Sequence, residues 1–99
     1  MYGMIGKMSA VAGKRDALLE ILLGSIGDMP GCLSYVVHKD VKDPDAVWIS
    51  EAWDDEASHK ASLQLAAVRA AIARAKPLIA SFDVHVITEP AGGHGLAAK

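Results

Sequence analysis

Between Val47 and Ser62 the sequence reads VWISEAWDDEASHKAS, and this run holds the side chains best suited to chemistry. Glu51 sits in an apolar stretch between Trp48 and Trp53, the two tryptophans of the chain. In an extended strand, Glu51 and Trp53 share a face because they are two residues apart. His59 follows a short acidic break, and imidazole is the side chain that ordinarily titrates near working pH, so it is a candidate general base. A carboxylate inside an apolar strand needs a partner if it is buried. A base to orient or a substrate hydroxyl would supply one, and so would a cross-strand ion pair at a sheet edge. Trp53 offers a flat wall for an aromatic ring, whereas Trp48 reads better as a core or interface residue. His59 also fits a plain solvated or capping histidine.

The remaining reactive types suggest less. His38, His85 and His94 lack metal-ligand spacing such as H-E-x-x-H, and Cys32 stands alone, so no metal site is expected. Cys32 reads as packed, and Met4, Met8 and Met29 as core filler. Gly92, Gly93 and Gly95 follow no strand-to-helix transition and do not form a phosphate loop.

These residues need elements to position them. Met1 to Val11 suits a strand with Tyr2, Met4, Gly6 and Met8 on one face and Gly3, Ile5, Lys7 and Ser9 on the other. From Lys14 to Met29 the apolar positions Leu18, Ile21, Leu22, Ile26 and Met29 recur at helical spacing, and Pro30-Gly31 ends the pattern. CLSYVVHK (32–39) and Val47 to Trp53 alternate as the arms of an antiparallel hairpin. Asp54 and Asp55 suit an N-cap, so a helix is expected from near Glu56 with His59 in its first turns. Leu65, Val68, Ile72 and Ala75 predict a second helical piece over about 64–76, bent from the first near Leu63. Phe82 to Thr88 closes as a strand. The order is βαββαβ, the ferredoxin-like α+β arrangement with a four-stranded antiparallel sheet. Residues 1–89 form the expected domain and 90–99, EPAGGHGLAAK without its first residue, a C-terminal tail.

Ninety-nine residues suffice for one core without disulfides. Ten basic against twelve acidic residues, scattered along the chain, disfavour nucleic acid as a partner. A single cysteine fits a reducing compartment, the N-terminus does not read as a signal peptide, and no apolar run approaches the ~20 residues of a membrane span. The expectation is a cytoplasmic protein without membrane contact. Its strands are apolar on both faces, whereas two helices cover one. A second copy pressed sheet to sheet, giving a homodimer, is the expected cover.

The E-x-W at the end of the third strand, the acidic turn and the H-x-x-S on the next helix resemble the antibiotic biosynthesis monooxygenase domain family of dimeric α/β barrels. The likeness extends to the first strand with AGKRDALLEIL behind it, to PGCLSYVVHKD with its hairpin partner, and to Glu51, Trp53, His59 and Ser62. It implies a quinol-monooxygenase-like enzyme that oxidises quinol-like or polycyclic hydroxyaromatic compounds with O2 and no cofactor. Such a substrate must itself give the electron to O2, and a phenolate does so more readily than a phenol. His59 and Glu51 are then the expected catalytic residues, His59 as the base. Trp53, Tyr35 and Leu33 are the expected substrate-binding walls. The resemblance also admits an isomerase of a small carbonyl compound or a noncatalytic ligand-binding dimer. A phosphorylated substrate would want convergent cations, and Lys7, Lys39, Lys60 and Arg69 are not grouped. Haem degradation fits less well: Gly6 stands where haem degraders carry asparagine, and Arg74 and Lys76 where they carry the ligating histidine.

Overall fold

A computed structural model describes residues 1–96; residues 97–99, the end of the expected tail, lie outside the described residues. The elements are β1 (Tyr2–Ala10), α1 (Arg15–Gly24), β2 (Cys32–Lys39), β3 (Ala46–Trp53), α2 (Glu56–Ser62), α3 (Ala66–Ala75), a 3-10 turn (Lys76–Leu78) and β4 (Ile79–Thr88). The fold is ferredoxin-like α+β, with one antiparallel sheet in the order β2-β3-β1-β4.

Register turns the two-residue alternation of each strand into rows that cross the sheet. One row runs Tyr35, Glu51, Met4, Ile87, and the next on the same face runs Val37, Ile49, Gly6, His85. This face carries the helices. Its core joins Ala10, Val47 and Ile49 of the sheet to Leu18 and Leu19 of α1 and Ala75 of α3, all buried. On the opposite face a row runs Val36, Ser50, Ile5, Val86, and its three apolar members are all exposed.

One helical and one strand boundary differ from the expected ones. The expected helix over 14–29 ends at Gly24, and Ile26 and Met29 belong to the following loop. Gly24 lowers helix propensity there, and the Ser25 hydroxyl donates to the Leu22 carbonyl at 2.8 Å, occupying an acceptor at the helix end. The break expected near Leu63 is present. Leu63, Gln64 and Leu65 bond back three residues to Lys60, Ala61 and Ser62 in 3-10 fashion, and Leu65 is extended before α3 starts. The last strand begins at Ile79, three residues before the expected Phe82, because Ala10 pairs with Ile79 across a register shift that leaves Ala80 of β4 without a partner in β1.

The β2–β3 loop is held from α1. Arg15 Nη1 donates to the carbonyls of Asp40 at 3.2 Å and Asp43 at 3.0 Å. Asp40 also accepts from Trp48 Nε1 at 2.9 Å and from the backbone N–H of Asp43 and Lys42. Together these donors hold its carboxyl down at about 2. The hairpin register that places Tyr35 beside Glu51 is thereby braced at its tip.

Candidate active site

Between the sheet and the helices lies a cavity of about 420 Å³. Its floor is the helix-facing side of β1 and β3. Met4 and Met8 line it from one face of β1, with Gly6 between them on that face of the strand. Its walls come from α3 through Val68 and Ile72, from the loop after α1 through Ile26 and Met29, and from Tyr35, Trp53 and Phe82. The lining is dominantly apolar, as expected for a site that takes a small organic molecule.

The polar group of the cavity is built by β3 and α2. Glu51 Oε1 accepts the Trp53 indole N–H at 3.0 Å, a bond made within one strand face by residues two apart. The same oxygen lies 3.9 Å from His59 Nε2, beyond direct hydrogen bonding and within ion-pair range when the imidazole is protonated. His59 is clasped by rings: Tyr2 stacks on it with centroids 5.3 Å apart, and Trp53 meets it edge-on at 5.5 Å. The His59 and Glu51 side chains retain 13% and 10% of their exposure, so both are shielded from bulk water yet open to the cavity. Burial raises the Glu51 pKa, while the Trp53 N–H and the positive potential of His59 and His85 draw it back. Tyr35, beside Glu51 in the sheet, is pushed up to about 12 by burial first and by Glu51 and Cys32 after it, so it remains a neutral phenol that can donate.

Local sequence explains how α2 delivers His59. Asp55 caps the helix by accepting the Ser58 N–H at 2.8 Å. The Gly31 carbonyl accepts the Asp54 N–H at 2.9 Å, tying the start of β2 to the turn before α2. Gly31 has φ +85° and would place any Cβ 2.5 Å from Ser58 Oγ, so it must be glycine for both backbone and space. At the other end of α2, Ser62 Oγ donates to the His59 carbonyl at 2.6 Å.

Of the residues singled out in the sequence, Glu51, His59, Trp53 and Tyr35 lie together on the cavity. Leu33 is buried, at the β-bulge between Cys32 and Ser34, and is not part of the cavity wall. The bulge inserts it out of the alternation that carries Tyr35 inward. Sequence reasoning passed over Tyr2 as a partner of His59, although the face assignment of β1 already set it with Met4, Gly6 and Met8. Met4, Met8 and Met29, read as core filler, line the cavity. Lys76, noted in the sequence only as standing with Arg74 where haem degraders carry a histidine, also lines the cavity. Among the described residues no group of three or more His, Cys, Asp or Glu side chains could hold a metal ion. No helix among them is long and apolar enough to cross a membrane.

Fold and site define a class: ferredoxin-like α+β proteins with an apolar cavity between sheet and helices and a histidine–carboxylate–tryptophan group on its wall. Residues 1–74 match the family model described as antibiotic biosynthesis monooxygenase, and the chain belongs to that family. A crystallised protein of that description from Chloroflexus aurantiacus is 59% identical over 97% of this chain and 98% of its own, with a TM-score of 0.94. Another, from Deinococcus radiodurans, is 27% identical over 94% of this chain and 95% of its own, with a TM-score of 0.78. A third, from Nitrosomonas europaea, shares the fold at 21% identity over 93% of this chain and 100% of its own, with a TM-score of 0.81. Among curated proteins, none matches.

Proposed function

We propose that this chain is a cofactor-independent monooxygenase of quinol-like or polycyclic hydroxyaromatic compounds. The observation that carries the reading is His59, paired at 3.9 Å with a largely buried carboxylate on the wall of an apolar cavity. In the simplest case a hydroquinone and O2 give a hydroxyquinone and water. One oxygen atom forms the new C–O bond, the other leaves as water, and the ring supplies the electrons.

Bound between the floor formed by Met4, Met8 and Ile49 and the wall of α3, a flat ring places a hydroxyl against His59. The imidazole takes the phenolic proton, and the resulting cation is stabilised by Glu51, which keeps its indole donor throughout. The phenolate passes an electron to O2 within the same apolar space, and the oxygen and ring radicals combine at carbon. His59 returns the proton to the departing oxygen, completing the water. Tyr35 donates to a second oxygen of the substrate.

The test is oxygen uptake by the purified protein with anthrones and naphthohydroquinones. Turnover is expected above the spontaneous rate, and His59→Ala is expected to lower it by about 10²-fold or more, the contribution of a positioned acid–base group. Full turnover in His59→Ala would remove the histidine from the chemistry.

A further inference from the structure

We infer that the cavity has two chemically different ends, and that Lys76 makes the second one a binding site for a carboxylate borne by the aromatic substrate. The inference rests on the aromatic reading of the cavity and adds the charge and length of its ligand. Six lining side chains are polar or charged: Ser25, Tyr35, Glu51, His59, Ser62 and Lys76. The two serine hydroxyls are spent on backbone carbonyls, Ser25 on Leu22 and Ser62 on His59. Tyr35, Glu51 and His59 belong together, since Tyr35 and Glu51 are register partners and His59 faces Glu51. Lys76 is left at the other end.

The sheet separates the two ends. Glu51 is opposite Met4, whereas Met8, four residues further along β1, is opposite Phe82, and the turn begun by Lys76 delivers Ile79 to Ala10. At strand rise, four residues span about 13 Å, the scale of a fused tricyclic aromatic with one substituent. Lys76 is exposed, and among the described residues its side chain makes no ion pair and it is the only Lys or Arg lining the cavity. Its position at the end of α3 also suits the helix dipole, which an ammonium group directed anywhere into water would satisfy. Facing the cavity, it can lay its apolar stem on the wall and hold its charge over the opening. One cation matches a monoanion, because tight phosphate sites gather several donors and neither Arg69 nor Arg74 lines the cavity.

The experiment compares anthraquinone with anthraquinone-2-carboxylate, air-stable ligands whose binding is read by quenching of tryptophan fluorescence without turnover. The wild-type protein should bind the carboxylate about two- to fivefold more tightly at low salt, the advantage of one solvent-accessible charged contact, and the preference should shrink as salt is added. Lys76→Gln should abolish the preference, read as the ratio of the two affinities in that variant, and Lys76→Arg should keep it. Equal affinities in the wild-type protein would overturn the Lys76 site and leave the aromatic cavity standing. A preference that survives in Lys76→Gln and disappears in His59→Ala would place the anion at the catalytic end and overturn it equally. Failure of both ligands to bind would overturn the aromatic reading, and the Lys76 site with it.

Discussion

Glu51 holds two neighbours with one oxygen, yet burial outweighs both in setting how its charge behaves. Its pKa in the folded protein is raised above the ordinary 4.5, chiefly by burial. Above pH 4.5 the unfolded chain has therefore lost a proton that the folded chain still binds. Stability contributed by this group is complete below 4.5 and declines as pH rises through the folded value. Glu51→Gln removes the titration and keeps an acceptor for the Trp53 N–H. Urea unfolding should show the variant gaining stability relative to wild type as pH rises from 4 to 7, roughly the span in which buried carboxyls titrate. Its turnover should fall all the same, because no carboxylate then faces the protonated His59. A stability difference independent of pH would show that Glu51 ionises as an exposed carboxylate does. This trio was legible in the sequence, since Glu51 and Trp53 lie two apart on one strand and the Asp54-Asp55 cap places His59 just beyond it. Tyr2 was not associated with His59, because the contact spans 57 positions and depends on the Tyr2↔Trp53 register. Leu33 was assigned to the wall by strict alternation, which a β-bulge interrupts without any mark in composition.

At the scale of elements, α2 is only seven residues long and owes its place to its ends. Gly31→Ala should cost about 1–3 kcal/mol from the left-handed φ together with the clash at Ser58, read by denaturant unfolding. Its loss of turnover should exceed that explained by unfolded protein, because Ser58 must move and His59 is the next residue. Combining Gly31→Ala with Ser58→Gly removes the side-chain clash and leaves the backbone strain, so part of the cost should return. The floor gives a contrasting case. A Cβ at Gly6 would meet only the Val84 carbonyl, at 3.6 Å, an ordinary contact. Gly6→Leu should therefore leave the fold at least as stable, since glycine weakens strands, while its side chain fills the cavity between Met4 and Met8 and blocks flat ligands. Unchanged ligand binding in that variant would show that substrates lie elsewhere. Strand identities, their order and the break near Leu63 were readable from period and caps. The end of α1 was not, because Ile26 and Met29 continue the apolar spacing and serve the cavity from a loop instead.

For the whole molecule, the sheet face away from the helices sets the largest question. The row Val36, Ser50, Ile5, Val86 crosses all four strands, and its apolar side chains remain 44%, 41% and 47% exposed at Val36, Ile5 and Val86 respectively. Trp48 lies in the adjacent row with His38, Lys7 and Val84, its ring beneath the Lys7 ammonium at 5.4 Å and its N–H on Asp40. Apolar alternation on both faces made this surplus visible in the sequence; which side chains the helices cover required the register. A line of apolar residues flanked by a fully hydrogen-bonded tryptophan suits a self-complementary surface, because a twofold axis through Ile5 and Ser50 sets each row against its own copy. The expected solution species is a homodimer of twice the 10.4 kDa chain. Ile5→Asp places two carboxylates near that axis in the assembly and one in water in the monomer. Light scattering at micromolar concentration should show the wild-type protein near twice the chain mass and Ile5→Asp near the chain mass. The proposed catalytic group lies on the other face and within one chain, so the monomeric variant should still bind a flat aromatic ligand, with any loss of affinity reflecting a looser sheet. A wild-type protein that scatters as a monomer would leave the outer row uncovered and refute the assembly. A variant that dimerises undisturbed would move the interface off this face.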